Sequence, residues 1–145
     1  MAKLKIKNFG PIQDGLTEND GWIEFKKITL FIGNQSTGKS TIAKLYSIFQ
    51  WLEKDLFRSN DLLSDIYKID FNGHHLPYHN IANYVQSDTD IEYIGELYHF
   101  QYKNRDLKLV NRYIDYGYNV SKIMYIPAER NFLTAIQDAA KVENL

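Results

Sequence analysis

Cysteine is missing from all 145 residues, which excludes disulfides, thiolate metal sites and cysteine nucleophiles. No apolar run is long enough to span a bilayer, and Met1-Ala2-Lys3-Leu4-Lys5 does not lead into the apolar segment of a signal peptide. A cytoplasmic address, with no membrane partner, is therefore the expectation. Charge of one sign is lacking as well. With a formal net charge of −1 there is no overall electrostatic drive toward DNA or anionic lipid, so partners must be argued from local features. What remains is ordinary for a globular chain, 44% hydrophobic and 24% charged residues, in a length that fits one domain with a real core.

One run states its chemistry. Gly33-Asn34-Gln35-Ser36-Thr37-Gly38-Lys39-Ser40 spells G-x-x-x-x-G-K-[ST], the phosphate-binding P-loop. A triphosphate needs many donors converging on it with no side chains in the way, and two glycines supply a backbone free of Cβ atoms. The amides of residues 34–40 can then turn inward as an anion nest, continued by the unpaired N–H groups and positive dipole end of a following helix. On this reading Lys39 bridges the β- and γ-phosphates, the Ser40 hydroxyl ligates Mg²⁺, and Thr41 offers a further hydroxyl to the α-phosphate. The alternative is a glycine-rich turn without a ligand.

The flanks suit the motif. Ile28-Thr29-Leu30-Phe31-Ile32 is apolar and β-prone, as a buried parallel strand should be. From Lys39 to about Phe57 the positions Ile42, Leu45, Tyr46, Ile48, Phe49, Leu52 and Leu56 follow a period of about 3.6, which predicts a long helix with a broad buried face. Residues 3–7 predict a first strand, Asn8-Phe9-Gly10-Pro11 a turn, residues 12–21 a loop, and residues 22–25 a second strand. Ser59 or Asn60 is positioned to cap a short helix through Leu62, Leu63 and Ile66.

Residues 90–118 are rich in tyrosine and alternate well, predicting an antiparallel meander with turns at Gly95-Glu96, suited to type II′, and at residues 103–106. Its aromatics read as cross-strand packing rather than a base-stacking platform, because basic residues do not interleave them consistently. Residues 123–126 predict another core strand, parallel to the P-loop strand, and a final helix begins at about residue 132.

Two constellations receive bland readings. A strand over residues 3–7 puts Lys3, Lys5 and Lys7 on one face; we read it as the solvated face of an edge strand, the alternative being a small nucleic-acid patch. His74, His75 and His79 invite a metal reading, but Pro77 opposes a continuous helix that would align them and no glutamate completes H-E-x-x-H. They read as an exposed polar loop.

Three segments together, Ile6 to Ile12, Phe31 to Thr41 and Tyr125 to Asn131, resemble the first lobe of an AAA/ABC-type ATPase head, in the manner of the SMC, RecF and OLD-like bacterial ATPases. The resemblance implies an α/β P-loop NTPase fold, a mixed sheet around the P-loop helix with an antiparallel β subdomain beside it, binding Mg²⁺ and ATP. It implies that residues 1–145 are a partial head, completed at the ATP site by a second copy or by a C-terminal lobe. It leaves nucleic acid as a partner of the wider family. The chain lacks an L-S-G-G-Q-like signature and a Walker B run of four apolar residues followed by Asp-Glu, the nearest candidate being residues 113–116. Hydrolysis is thus expected only with the missing elements. Glu129 and Arg130, just past the strand over residues 123–126, are the candidate catalytic pair; the alternative is an ion pair or cap on the last helix. Asn8 and Phe9 are candidates to flank the nucleotide, with core packing the preferred role for Phe9. A small P-loop phosphotransferase and a nucleotide-gated interaction module that never hydrolyses are the competing functions. A GTPase lacks the N-K-x-D base-reading motif.

Overall fold

In the computed structural model, which describes residues 1–58, 69–113 and 123, five strands form one sheet. They are β1 (Lys3–Phe9), β2 (Trp22–Glu24), β3 (Val85–Ile94), β4 (Tyr98–Lys103) and β5 (Asp106–Arg112), in the order β2-β1-β3-β4-β5. Between β2 and β3 runs the helix α1 (Lys39–Arg58), then one wide helical turn, Phe71–His75, that leads directly into α2 (Leu76–Tyr78).

The strands form because their side chains alternate. Leu4 and Ile6 of β1, Ile91 and Tyr93 of β3, and Tyr98, Phe100 and Tyr102 of β4 are all buried on one face. Against that face lies the apolar stripe of α1, with Leu45, Ile48, Phe49, Leu52 and Leu56 buried at the helical spacing expected. Phe49 is the centre of the packing: its ring stacks on Tyr93 at 4.9 Å and lies 5.7 Å from Phe71 and 5.9 Å from Phe100. Tyr93, Tyr98 and Tyr102 of the meander are thus cross-strand core, as their spacing predicted, whereas Tyr113 is exposed and residues 114–118 of the expected meander fall outside the described residues. The hairpin between β4 and β5 turns on Asn104 and Arg105, both at positive φ (54° and 61°), the geometry that a two-residue loop between twisted strands requires.

The opposite face of the sheet is charged and self-compensating. Lys5 faces Glu92, and Lys7 faces Asp90 across β1 and β3. Asp90 also accepts from Lys103 at 2.9 Å, and Glu92 pairs with His99 at 2.7 Å. Lys3 and Lys5 lie over the Trp22 ring at 4.4 and 5.7 Å. The lysines therefore sit on a solvated face, as read from the alternation, but β1 is an interior strand of the sheet and not an edge.

The expected α/β P-loop NTPase fold, with a mixed sheet around the helix, is overturned. Every strand pairing among the described residues is antiparallel. A parallel sheet needs strands that are apolar on both faces, and the central strands β1, β3 and β4 have one apolar and one wet face where they pair. Residues 28–32, expected as the buried strand feeding the P-loop, form none: Ile28, Leu30 and Ile32 are 87%, 79% and 87% exposed. Only Phe31 is drawn inward, edge-on to Phe25 at 6.1 Å. A turn in which the Lys26 amide donates to Thr29 Oγ1 at 3.0 Å takes the chain away from β2 as this run begins. The helix expected near residue 60, the strand over 123–126, the last helix and the pair Glu129 and Arg130 fall outside the described residues, Ile123 apart.

Candidate functional site

The loop that carries the glycine motif opens directly into α1. Gly33, Asn34, Gln35, Ser36 and Thr37 are exposed, Gly38 is buried, and Lys39 begins the helix half-exposed with Ser40 exposed beside it. Gly38 has φ +90°, a conformation open to glycine and costly for other residues, and a Cβ there would stand 2.7 Å from Ile12 Cγ1. The turn of Phe9-Gly10-Pro11-Ile12 is thus the wall against which the loop-to-helix junction is set. That turn is closed by Phe9 N–H donating to the Ile12 carbonyl at 2.8 Å and Ile12 N–H returning to the Phe9 carbonyl at 3.1 Å. It is tied to the segment before β3 by Gly10 N–H on the Tyr84 carbonyl at 3.0 Å.

Lys39 is turned back over its own loop. Its ammonium donates to the Gly33 carbonyl at 2.8 Å, to the Asn34 carbonyl, and to Thr37 Oγ1 at 3.2 Å. Thr37 Oγ1 in turn donates to the Asn34 carbonyl at 2.9 Å. Three donors on the ammonium meet three acceptors of the loop, so the cation is held at the loop's centre without a buried carboxylate. These contacts lie at the surface, where exchange for an anionic ligand's oxygens costs little desolvation.

Of the residues singled out from sequence, Gly33, Asn34 and Thr37 meet the Lys39 ammonium, Gln35 and Ser36 are exposed in the loop between them, and Gly38 and Ser40 stand at the start of α1. Thr41, the further hydroxyl of the motif, is buried, while Ser40 is exposed. Asn8 and Phe9 point elsewhere. Phe9 is fully buried, edge-on to Tyr84 at 5.8 Å, and Asn8 Nδ2 donates to Asp88 at 2.8 Å. The stretch expected as an exposed polar loop is instead helical: His74 and His75 lie on the wide turn before α2, His79 just past α2, and His75 and His79 are half-buried. No group of three or more His, Asp or Glu side chains among the described residues could hold a metal ion. Also among the described residues, no helix is long and apolar enough to cross a membrane.

Glu53 was not anticipated. It is wholly buried on the apolar stripe of α1, four residues from Phe49. Oε1 accepts from the Leu97 amide at 2.5 Å and the Tyr98 amide at 3.2 Å, and Oε2 from the Tyr93 hydroxyl at 3.0 Å. Burial raises its pKa above the ordinary carboxyl value, while those donors pull the other way. The same carboxylate explains Gly95: a Cβ there would stand 2.5 Å from Glu53 Oε1, so the glycine provides room for the carboxylate, and its φ is not the positive one that a type II′ turn needs. An acidic residue in register with Leu45, Phe49, Leu52 and Leu56 was the available signal. Glu53 is a staple between helix and sheet rather than a candidate for chemistry.

Comparison of the chain with protein-family models, with curated proteins and with solved structures returns no match.

Proposed function

We propose that residues 33–41 bind Mg²⁺ and ATP. The observation that carries the reading is the G-x-x-x-x-G-K-S spacing at the start of a 20-residue helix, with the Lys39 ammonium turned over the exposed loop. The residues fit the ligand: the loop is exposed, Gly38 keeps a Cβ out of the junction, and the lysine is held by hydrogen bonds at the surface. In binding, Lys39 gives up the Gly33 and Asn34 carbonyls for phosphate oxygens. The amides of residues 34–40 and the free N–H groups of the first turn of α1 supply the neutral donors, and Ser40 is the hydroxyl for Mg²⁺. Bound Mg²⁺ would supply charge neutralisation on the phosphate oxygens.

Binding without efficient turnover is the form we favour. Hydrolysis needs a residue that positions water and a carboxylate that shares the metal, and the 145 residues contain no Walker B run to provide them. Turnover by this chain is expected about a thousandfold or more below the 1 to 10³ s⁻¹ of typical enzymes. Completion by a second copy or by a C-terminal lobe that brings those groups belongs to the same reading, as does a cytoplasmic address.

Calorimetric titration with Mg²⁺ and ATP tests it. Lys39→Ala should weaken binding by about thirtyfold, the equivalent of roughly 2 kcal/mol for a charge-assisted contact. Equal binding by both proteins would overturn the assignment.

A further inference from the structure

Ser40, Lys44, Ser47 and Trp51 follow one another along α1 at spacings of four, three and four, which places them on a single stripe that runs away from the loop. Helical rise separates Lys44 from Ser40 by about 6 Å and Trp51 from Ser40 by about 16 Å. Against the far part of this stripe lies a cleft of about 550 Å³, within the range of small-molecule sites. Its other wall is the helical segment of His74, His75 and Tyr78 with the residues just after it. That wall is fixed in place: Asp70 accepts from the Gly73 amide at 2.7 Å, and Phe71, Leu76 and Ile81 are buried in the core.

The lining has a definite chemistry. It holds a lysine, imidazoles, a serine and an asparagine, and no carboxylate is among the described residues that line it. Trp51 is 45% exposed and Tyr78 78% exposed, whereas the large aromatics of the sheet face, Tyr93, Tyr98 and Tyr102, are wholly buried. The Trp51 ring stands 5.0 Å from that of His75. Open aromatic rings beside a lysine are the elements with which proteins hold a base and its phosphate.

We propose that this cleft binds a nucleotide unit, its base against Trp51 and Tyr78 and its phosphate against Lys44 and His74. The site is separate from the loop 33–38 and stands whether or not that loop binds ATP. Burial keeps His75 and His79 below the ordinary imidazole pKa, with His74 and Lys44 acting in the same direction and Asp55 and Asp70 opposing it at His75. Near neutral pH those two rings therefore serve as hydrogen-bonding groups, and Lys44 supplies the charge.

The chain has two tryptophans, so Trp22→Phe leaves Trp51 as the sole indole reporter. With Lys39→Ala added to remove the loop's contribution, the protein is titrated with AMP, with a short oligothymidylate and with inorganic phosphate while indole emission is followed. AMP or the oligonucleotide should quench Trp51, and phosphate alone should not. Lys44→Glu and, separately, the exposed-site change Tyr78→Ala should each weaken binding by about tenfold, with circular dichroism unchanged. Similar affinity for AMP and the oligonucleotide assigns the site to a free nucleotide; a tenfold or greater preference for the oligonucleotide assigns it to a single strand. Absence of quenching by both, or quenching indifferent to Lys44→Glu and Tyr78→Ala, overturns the proposal.

Discussion

The two ends of the region that α1 joins are held by opposite means. From Leu45 to Leu56 the helix is fixed by packing, its buried stripe set against Ile91, Tyr93 and Phe100 and fastened by the Glu53 carboxylate. At Lys39 the helix continues an exposed loop whose shape rests on a few surface hydrogen bonds and on one glycine pressed against Ile12. Close packing is costly to disturb and tolerates little change, whereas solvated hydrogen bonds can be exchanged for those of a ligand at small net cost. One helix can thus serve as a rigid mount at one end and as a binding element at the other.

The sharpest break of this contrast is Phe49→Ala. Removing the ring at the centre of the aromatic cluster should cost about 3–5 kcal/mol of stability in denaturant unfolding, while the folded fraction keeps its nucleotide affinity. Next is Glu53→Ala, which leaves the Leu97 and Tyr98 amides and the Tyr93 hydroxyl without their acceptor, at about 1–3 kcal/mol. The sign of its pH dependence is fixed by the raised pKa. Because the folded state favours the protonated acid, the Glu53 contribution to stability is fully present below the unfolded-state carboxyl pKa and declines as pH rises through the elevated folded-state value. Glu53→Gln should remove that decline, seen as a flatter stability profile above about pH 4.5.

Gly38→Ala probes the other end of α1. The left-handed φ and the Ile12 contact together should cost about 1–2 kcal/mol of stability, and nucleotide binding should fall by more than the stability loss accounts for. The smallest effect belongs to the run before the loop. Ile28→Lys should change stability by less than about 0.5 kcal/mol, since Ile28 is exposed. A loss of several kcal/mol, measured by the same unfolding method, would return residues 28–32 to the core.

Much of the packed region was legible because alternation and the 3.6 period are produced directly by burial. Leu4 and Ile6, the tyrosines of β3 and β4, and the stripe from Leu45 to Leu56 all lie where their spacing puts them. The exposed region was legible only as a motif. Residues 28–32 carry the composition of a buried strand, yet composition does not say what a strand pairs with, and the chain leaves the sheet at Lys26. The parallel order inferred from that run failed for the same reason. The Gly38 contact with Ile12 and the Glu53 contacts with residues 97 and 98 join positions 26 and 44 to 45 apart in sequence, and local patterning carries no information about such pairs.

Hydrogen exchange resolved by peptide, with and without Mg²⁺ and ATP, compares both regions in one experiment. Bound nucleotide should slow exchange across residues 33–41, leave residues 91–102 unchanged, and have no such effect in Lys39→Ala. Exchange in residues 33–41 that is indifferent to Mg²⁺ and ATP, or equally slowed in Lys39→Ala, would contradict nucleotide binding by this loop.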